Sequence, residues 1–90
     1  MLLTTQGVVK DIYENSFEKE GKTIKYSKWT IEYEDRNGNT QTRNLSGRNV
    51  DSEKRSRIIG ASGDINIELT FNEKGQIDKY KVVDFNGYLA

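Results

Sequence analysis

The chain has 90 residues and a formal net charge of zero, with 33% hydrophobic and 31% charged residues. A chain of this size makes one domain and buries only roughly 60–65% of its unfolded surface, so the core must be thin. Nine aromatics argue against a disordered chain. The absence of Cys and His excludes disulfides, thiolate chemistry, and the commonest zinc ligand and general base.

The N-terminus, MLLTTQG, has neither a basic start nor a long apolar run, so no signal peptide is expected. No stretch approaches the ~20 apolar residues of a membrane span. The expectation is a soluble, cytosolic protein with no membrane partner.

The elements, in chain order, read as strands with one interruption. GVVKDIYE at 7–14 is the first strand. Its apolar residues Val8, Val9, Ile12 and Tyr13 do not keep one parity, which predicts a bulge or strong bend. NSFEKEGKT at 15–23 is expected to be a long polar loop or hairpin tip around Gly21. IKYSKWTIEYE at 24–34 alternates cleanly: Trp29, Ile31 and Tyr33 share the core side, and Tyr26, Lys28, Thr30 and Glu32 share the other. An Asn-Gly turn at 37–38 leads into a third strand, TQTRNLS at 40–46. There Gln41 and Arg43 lie with Leu45, and Thr40, Thr42 and Asn44 lie opposite.

The chain is expected to turn at Gly47 and enter a helix of about ten residues. Asn49 is the expected cap, with Asp51 and Glu53 near the positive end and Arg55 and Arg57 near the negative end. Val50, Ile58 and Ile59 are the candidates to face the core. DINIELTF at 64–71 is the cleanest strand, with Ile65, Ile67, Leu69 and Phe71 on one side. A hairpin turn, NEKG, joins it to a fifth strand, QIDKYKVVDF at 76–85, and Asn86-Gly87 turns the chain again. Five strands with a helix between the third and fourth is the order of the OB-fold, a small, mainly β, partly open barrel. The fold expected is therefore a single five-stranded OB-fold-like barrel over residues 1–90, with the short helix plugging one end.

Charge is unevenly spread. Residues 41–60 hold five cations against two carboxylates, and residues 18–28 hold four Lys against two Glu. Residues 61–78 hold one Lys against four carboxylates. A neutral chain can still present one basic face.

Beyond element order, GVVKDI at 7–12, KWTIEYEDRNGNTQTRNLSGRN at 28–49 and GDINIEL at 63–69 resemble the single-stranded DNA-binding proteins of the bacterial and phage OB-fold type. In that family a strand ending apolar-x-Gly-basic recurs, and Leu45-Ser46-Gly47-Arg48 fits it. The resemblance implies largely sequence-independent binding of single-stranded DNA in replication, recombination or repair, in a phage or mobile-element setting. The outward positions of the third strand, where the family places stacking aromatics, are here Thr40, Thr42 and Asn44. The chain ends NGYLA without an acidic tail, so partner recruitment by such a tail is not carried over.

Binding single strands needs cations along the phosphates and exposed aromatic faces for the bases. Lys25, Tyr26 and Lys28 on the second strand are the first candidates; the competing reading is that they only cover the sheet. Phe17 stands in a polar stretch with no local reason to be apolar, unless it folds back on the barrel rim. Arg43 and Arg48 flank the end of the third strand with guanidinium forks suited to phosphate, against structural salt bridges as the alternative. Tyr80, between Lys79 and Lys81, is either a stacking residue or a half-buried strand tyrosine, and Tyr13 is read the same way. Trp29 shares its parity with core residues. Lys54, Arg55 and Arg57 are expected to face water.

No enzyme motif is present: GASGD at 60–64 lacks the Gly-Lys-Ser/Thr of a phosphate loop. No metal or cofactor is expected. The rival expectations are a protein-binding barrel and RNA binding through the same groove. A homodimer or higher oligomer would lengthen a short groove and add effective concentration.

Overall fold

The structure, a computed structural model, describes residues 1–89. Its elements are β1 (Leu2–Lys19), β2 (Lys22–Glu34), β3 (Thr40–Gly47), α1 (Ser52–Ile58), β4 (Ser62–Phe71) and β5 (Ile77–Phe85). The strands close into a barrel in the order β1-β2-β3-β5-β4, with β4 returning to β1. All pairings are antiparallel except the two-residue parallel contact of β3 with β5, Ser46 with Lys81 and Gly47 with Val82. This is the OB-fold-like barrel expected from the element order.

The broken parity of β1 has the expected cause. The register with β2 shifts between Val9 and Asp11, leaving Lys10 as the extra residue. Val9 and Ile12 can therefore both point inward, and both are buried. They join Trp29, Ile31, Ile65, Ile67, Leu69, Val82 and Phe85 in one core, with Val50 and Ile58 supplied around the helix. Each strand contributes its inward alternate residues, as a closed barrel requires.

Of the two readings of residues 15–23, loop or hairpin tip around Gly21, the hairpin holds, and its strands run further than expected. β1 and β2 continue as one antiparallel hairpin to Lys19↔Lys22, turning at Glu20 (φ 54°) and Gly21 (φ 77°). Two positive φ values in succession are those of a type I′ turn, whose twist matches the strands it joins. Both strands here are exposed on both faces, and Phe17, Ile24 and Tyr26 are too few and too widely spaced to give the half-buried alternation by which a strand is recognised. Beyond Ser27, where pairing with β3 stops, residues 15–26 pair only with each other and form a free arm.

The helix is also shorter and differently capped. Its N-cap is Asp51, whose carboxylate accepts from the Lys54 backbone N–H at 2.8 Å. Asn49 instead accepts a hydrogen bond from the Ser27 hydroxyl at 2.7 Å, which satisfies the one buried polar side chain among the described residues. Glu14, at the root of the arm, accepts from the Val50 N–H at 3.1 Å and pairs with Arg55 at 3.5 Å, tying α1 to β1. Gly47 is the last residue of β3 rather than a turn. A Cβ there would collide with the Trp29 indole, whose Nε1 donates to the Arg48 carbonyl at 3.1 Å. No helix among the described residues is long and apolar enough to cross a membrane.

Candidate nucleic-acid interface

The pairing register decides which side chains share a surface. Ile12 and Trp29 face each other in the core, so the next pair, Tyr13 and Lys28, faces out. Along the arm the same outer face carries Asn15 with Tyr26, Phe17 with Ile24, and Lys19 with Lys22 at the tip. Tyr13 is 56% exposed, Phe17 48%, Ile24 40% and Tyr26 36%, well above what core packing would leave. The Phe17 and Tyr26 rings lie 5.9 Å apart at 51°, a tilted pair that holds two aromatic faces in the open. Both residues are candidates from sequence, and the strand pairing of the arm brings them together.

Across the barrel from Lys28 the outer face continues through Ser46 on β3 to Lys81 on β5. Two strand spacings separate the lysines, about 10 Å. Beside this row, between the root of the arm and the β3–β5 junction, lies an open groove of 390 Å³. Lys25, Tyr26, Arg48 and Lys81 line it, together with small polar residues and no carboxylate. The ion pairs among the described residues are Lys10–Glu32, Arg55–Glu14 and Arg57–Glu53, so Lys25, Lys28 and Lys81 form none, although Glu68 on β4 stands directly opposite Lys81. Lys25 stands at a divide, since a second cleft on its other side is lined by Glu14 and Asp51.

The expected site residues thus fall into two places. Phe17, Lys25, Tyr26, Lys28 and Arg48 gather around the arm and its groove. Arg48 is partly committed there: its Nη1 donates to the carbonyls of Leu89 at 2.8 Å and Val83 at 3.3 Å, which latches the C-terminal turn to β3. Neither of its contacts is the salt bridge weighed from sequence. Arg43 and Tyr80 lie elsewhere. Arg43 pairs opposite the buried Ile31, and Tyr80 opposite the buried Leu69, so both point toward the barrel interior at its open mouth. Arg43 Nε donates to the Tyr33 hydroxyl at 2.8 Å. The inward parity of Tyr80 puts its neighbours Lys79 and Lys81 outward. Lys81 thereby joins the outer face of the groove, while Tyr80, though 37% exposed, lies on the other side of the strand. Tyr13, a candidate from sequence on the same terms as Tyr80, joins the apolar face, and Ile24, legible only once the register is known, completes it.

Arg55 is paired with Glu14, and Arg57 with Glu53 at 2.9 Å, so the most basic stretch of the sequence is largely absorbed by the helix and its anchor. The described residues hold no cluster of metal-ligating side chains. No family model matches the chain, and neither the curated proteins nor the solved structures contain a match to it.

Proposed function

We propose that the protein binds single-stranded DNA with little sequence preference, as a cytosolic accessory of replication, recombination or repair. The observation that carries the reading is the carboxylate-free groove of Lys25, Tyr26, Arg48 and Lys81 beside the exposed Phe17–Tyr26 pair. Bases stack on Phe17, Tyr26 and Tyr13, and the phosphates follow Lys28, Lys25 and Lys81. Each stacked base contributes about 1–3 kcal/mol, and stacking is tolerant of base identity because every base has a π-face. The arm's position favours a strand that runs along the outer face of β1–β2 and crosses the barrel at Ser46. RNA presents the same bases and phosphates, so it enters the test as a competitor.

The test is a titration of tyrosine and tryptophan fluorescence with oligo-dT and oligo-U at low and moderate salt. The expected result is quenching by oligo-dT that weakens as salt rises. Tyr26→Ala should bind at least about tenfold more weakly, the equivalent of one lost stacking contact. No change in fluorescence at low salt would sink the reading, and tighter binding of oligo-U would reassign it to RNA.

A further inference from the structure

The open mouth of the barrel is chemically unlike the groove. It holds a cleft of 220 Å³ whose floor is Ile31 and Ile67, 1% and 4% exposed. Leu3, Leu45 and Tyr80 form its walls, and Tyr80 and Leu3 still expose 37% and 46% of their surface at the rim. Arg43 is the one charged residue in the lining, and no carboxylate faces it there. Its Nε is fixed by the Tyr33 hydroxyl at 2.8 Å, which orients the guanidinium while its terminal nitrogens make no hydrogen bond among the described residues. None of the three ion pairs includes it.

A guanidinium oriented over an apolar pit offers its free nitrogens to an anion, and the pit offers an apolar body a place out of water. One ligand chemistry uses both. We propose that the barrel mouth binds a small amphipathic anion: a single planar or branched apolar body that sits on Ile31 and Ile67, bearing one phosphate or carboxylate that takes the free fork of Arg43. The size fits, because a dry apolar cavity of roughly 150 Å³ already accommodates a benzene ring. The fork geometry fits, because guanidinium binds carboxylate and phosphate oxygens through parallel N–H donors. Tyr80 closes one side of the ring's surroundings, a role its inward parity allows and a stacking role on the outer face would not. The site stands on the mouth residues alone and does not depend on nucleic-acid binding in the groove.

The experiment is an amide NMR titration of the full chain with three probes: phenyl phosphate, inorganic phosphate and benzyl alcohol. Phenyl phosphate is expected to shift the amides of Ile31, Arg43, Leu45, Ile67 and Tyr80, with saturation. Inorganic phosphate alone should bind at least about tenfold more weakly, since it forgoes the apolar contact. Arg43→Gln should weaken phenyl phosphate about tenfold and leave benzyl alcohol unchanged, because only the charge-assisted pair is removed. Leu3→Glu, at the exposed rim, places a carboxylate beside the anion and should abolish phenyl phosphate binding while the spectrum stays dispersed. Both variants are expected to keep oligo-dT binding. Shifts that centre on Lys25 and Lys81, equal effects from inorganic phosphate, or an Arg43→Gln variant that binds phenyl phosphate as tightly as the parent would each overturn the proposal.

Discussion

A single hydrogen atom at position 47 lets Trp29 keep its place. The indole is fully buried, its Nε1 reaches the Arg48 carbonyl, and any Cβ at Gly47 would enter the ring. Gly47→Ala should therefore destabilise the barrel by about 1–3 kcal/mol, the range for overpacking a filled core. In a domain of this size that lowers Tm by at least several degrees, readable by thermal melting. The glycine itself is visible in the sequence, but its reason is not: a turn and a close approach to a ring look the same until the ring is placed. Asp35 offers a test by pH. Its carboxylate accepts from the backbone N–H groups of Asn39 and Asn37 and from the Gln41 side chain, at 3.0, 2.9 and 3.0 Å. The bond from Asn39 is the largest effect; burial, next in size, opposes it, and the bonds from Gln41 and Asn37 add to Asn39 so that the pKa lies below the ordinary 3.8. A lowered folded value means that the charged form stabilises the turn above that pH, and the contribution is lost as pH falls through the lowered value. The amide resonances of Asn37 and Asn39 should titrate together below pH 3.8, and in Asp35→Asn that shared transition should vanish.

The arm and the helix are elements that stand on few contacts, and each can be tested alone. In α1 the Asp51 cap satisfies one backbone donor of a seven-residue helix, and Ile58 anchors it in the core. Asp51→Ala should cost about 1 kcal/mol, as N-cap losses do, with the change seen in urea denaturation. Asn49 has the right residue type for a cap, and the sequence offers it first; the Ser27 hydroxyl, 22 positions away, takes its side chain instead. That competition is long-range and leaves no local sign. The arm was hidden for a related reason. Strands inside the barrel show one apolar face, and β2 and β4 were legible from Trp29, Ile31 and Ile65, Ile67, Leu69. Residues 15–26 bury nothing, so only their mutual hydrogen bonds reveal them. Shortening the arm by removing 18–23 and closing it with Asn-Gly should leave the melting transition within a few degrees of the parent, because no core residue is touched. The same variant keeps the Phe17–Tyr26 pair and the groove, so it should also keep most of its oligo-dT affinity.

At the scale of the whole molecule, a chain of zero net charge gathers unpaired lysines on one side and spends its helix arginines on ion pairs. Only the former should release counterions. With about three phosphates neutralised by Lys25, Lys28 and Lys81, the plot of log K against log salt for a single strand should have a slope near −2. A slope several times steeper would mean that the helix cations also take part. Element order alone was enough to recover the barrel, since five strands with one helix in that place have few ways to close. The location of the groove was not recoverable, because it depends on which strand lies beside which: β3 and β5 are 35 positions apart at their contact and share only two residue pairs. That short junction has a mechanical consequence. Every other seam of the barrel is a long antiparallel ladder, so this is where the cylinder should breathe first. A polyanion lying across Lys28, Ser46 and Lys81 would bridge the gap from outside, as a strap bridges a split stave. Its arrival should then slow hydrogen exchange at the Arg48 amide, which donates to Val82 at 3.0 Å across the seam, more than at any amide of the β1–β4 ladder.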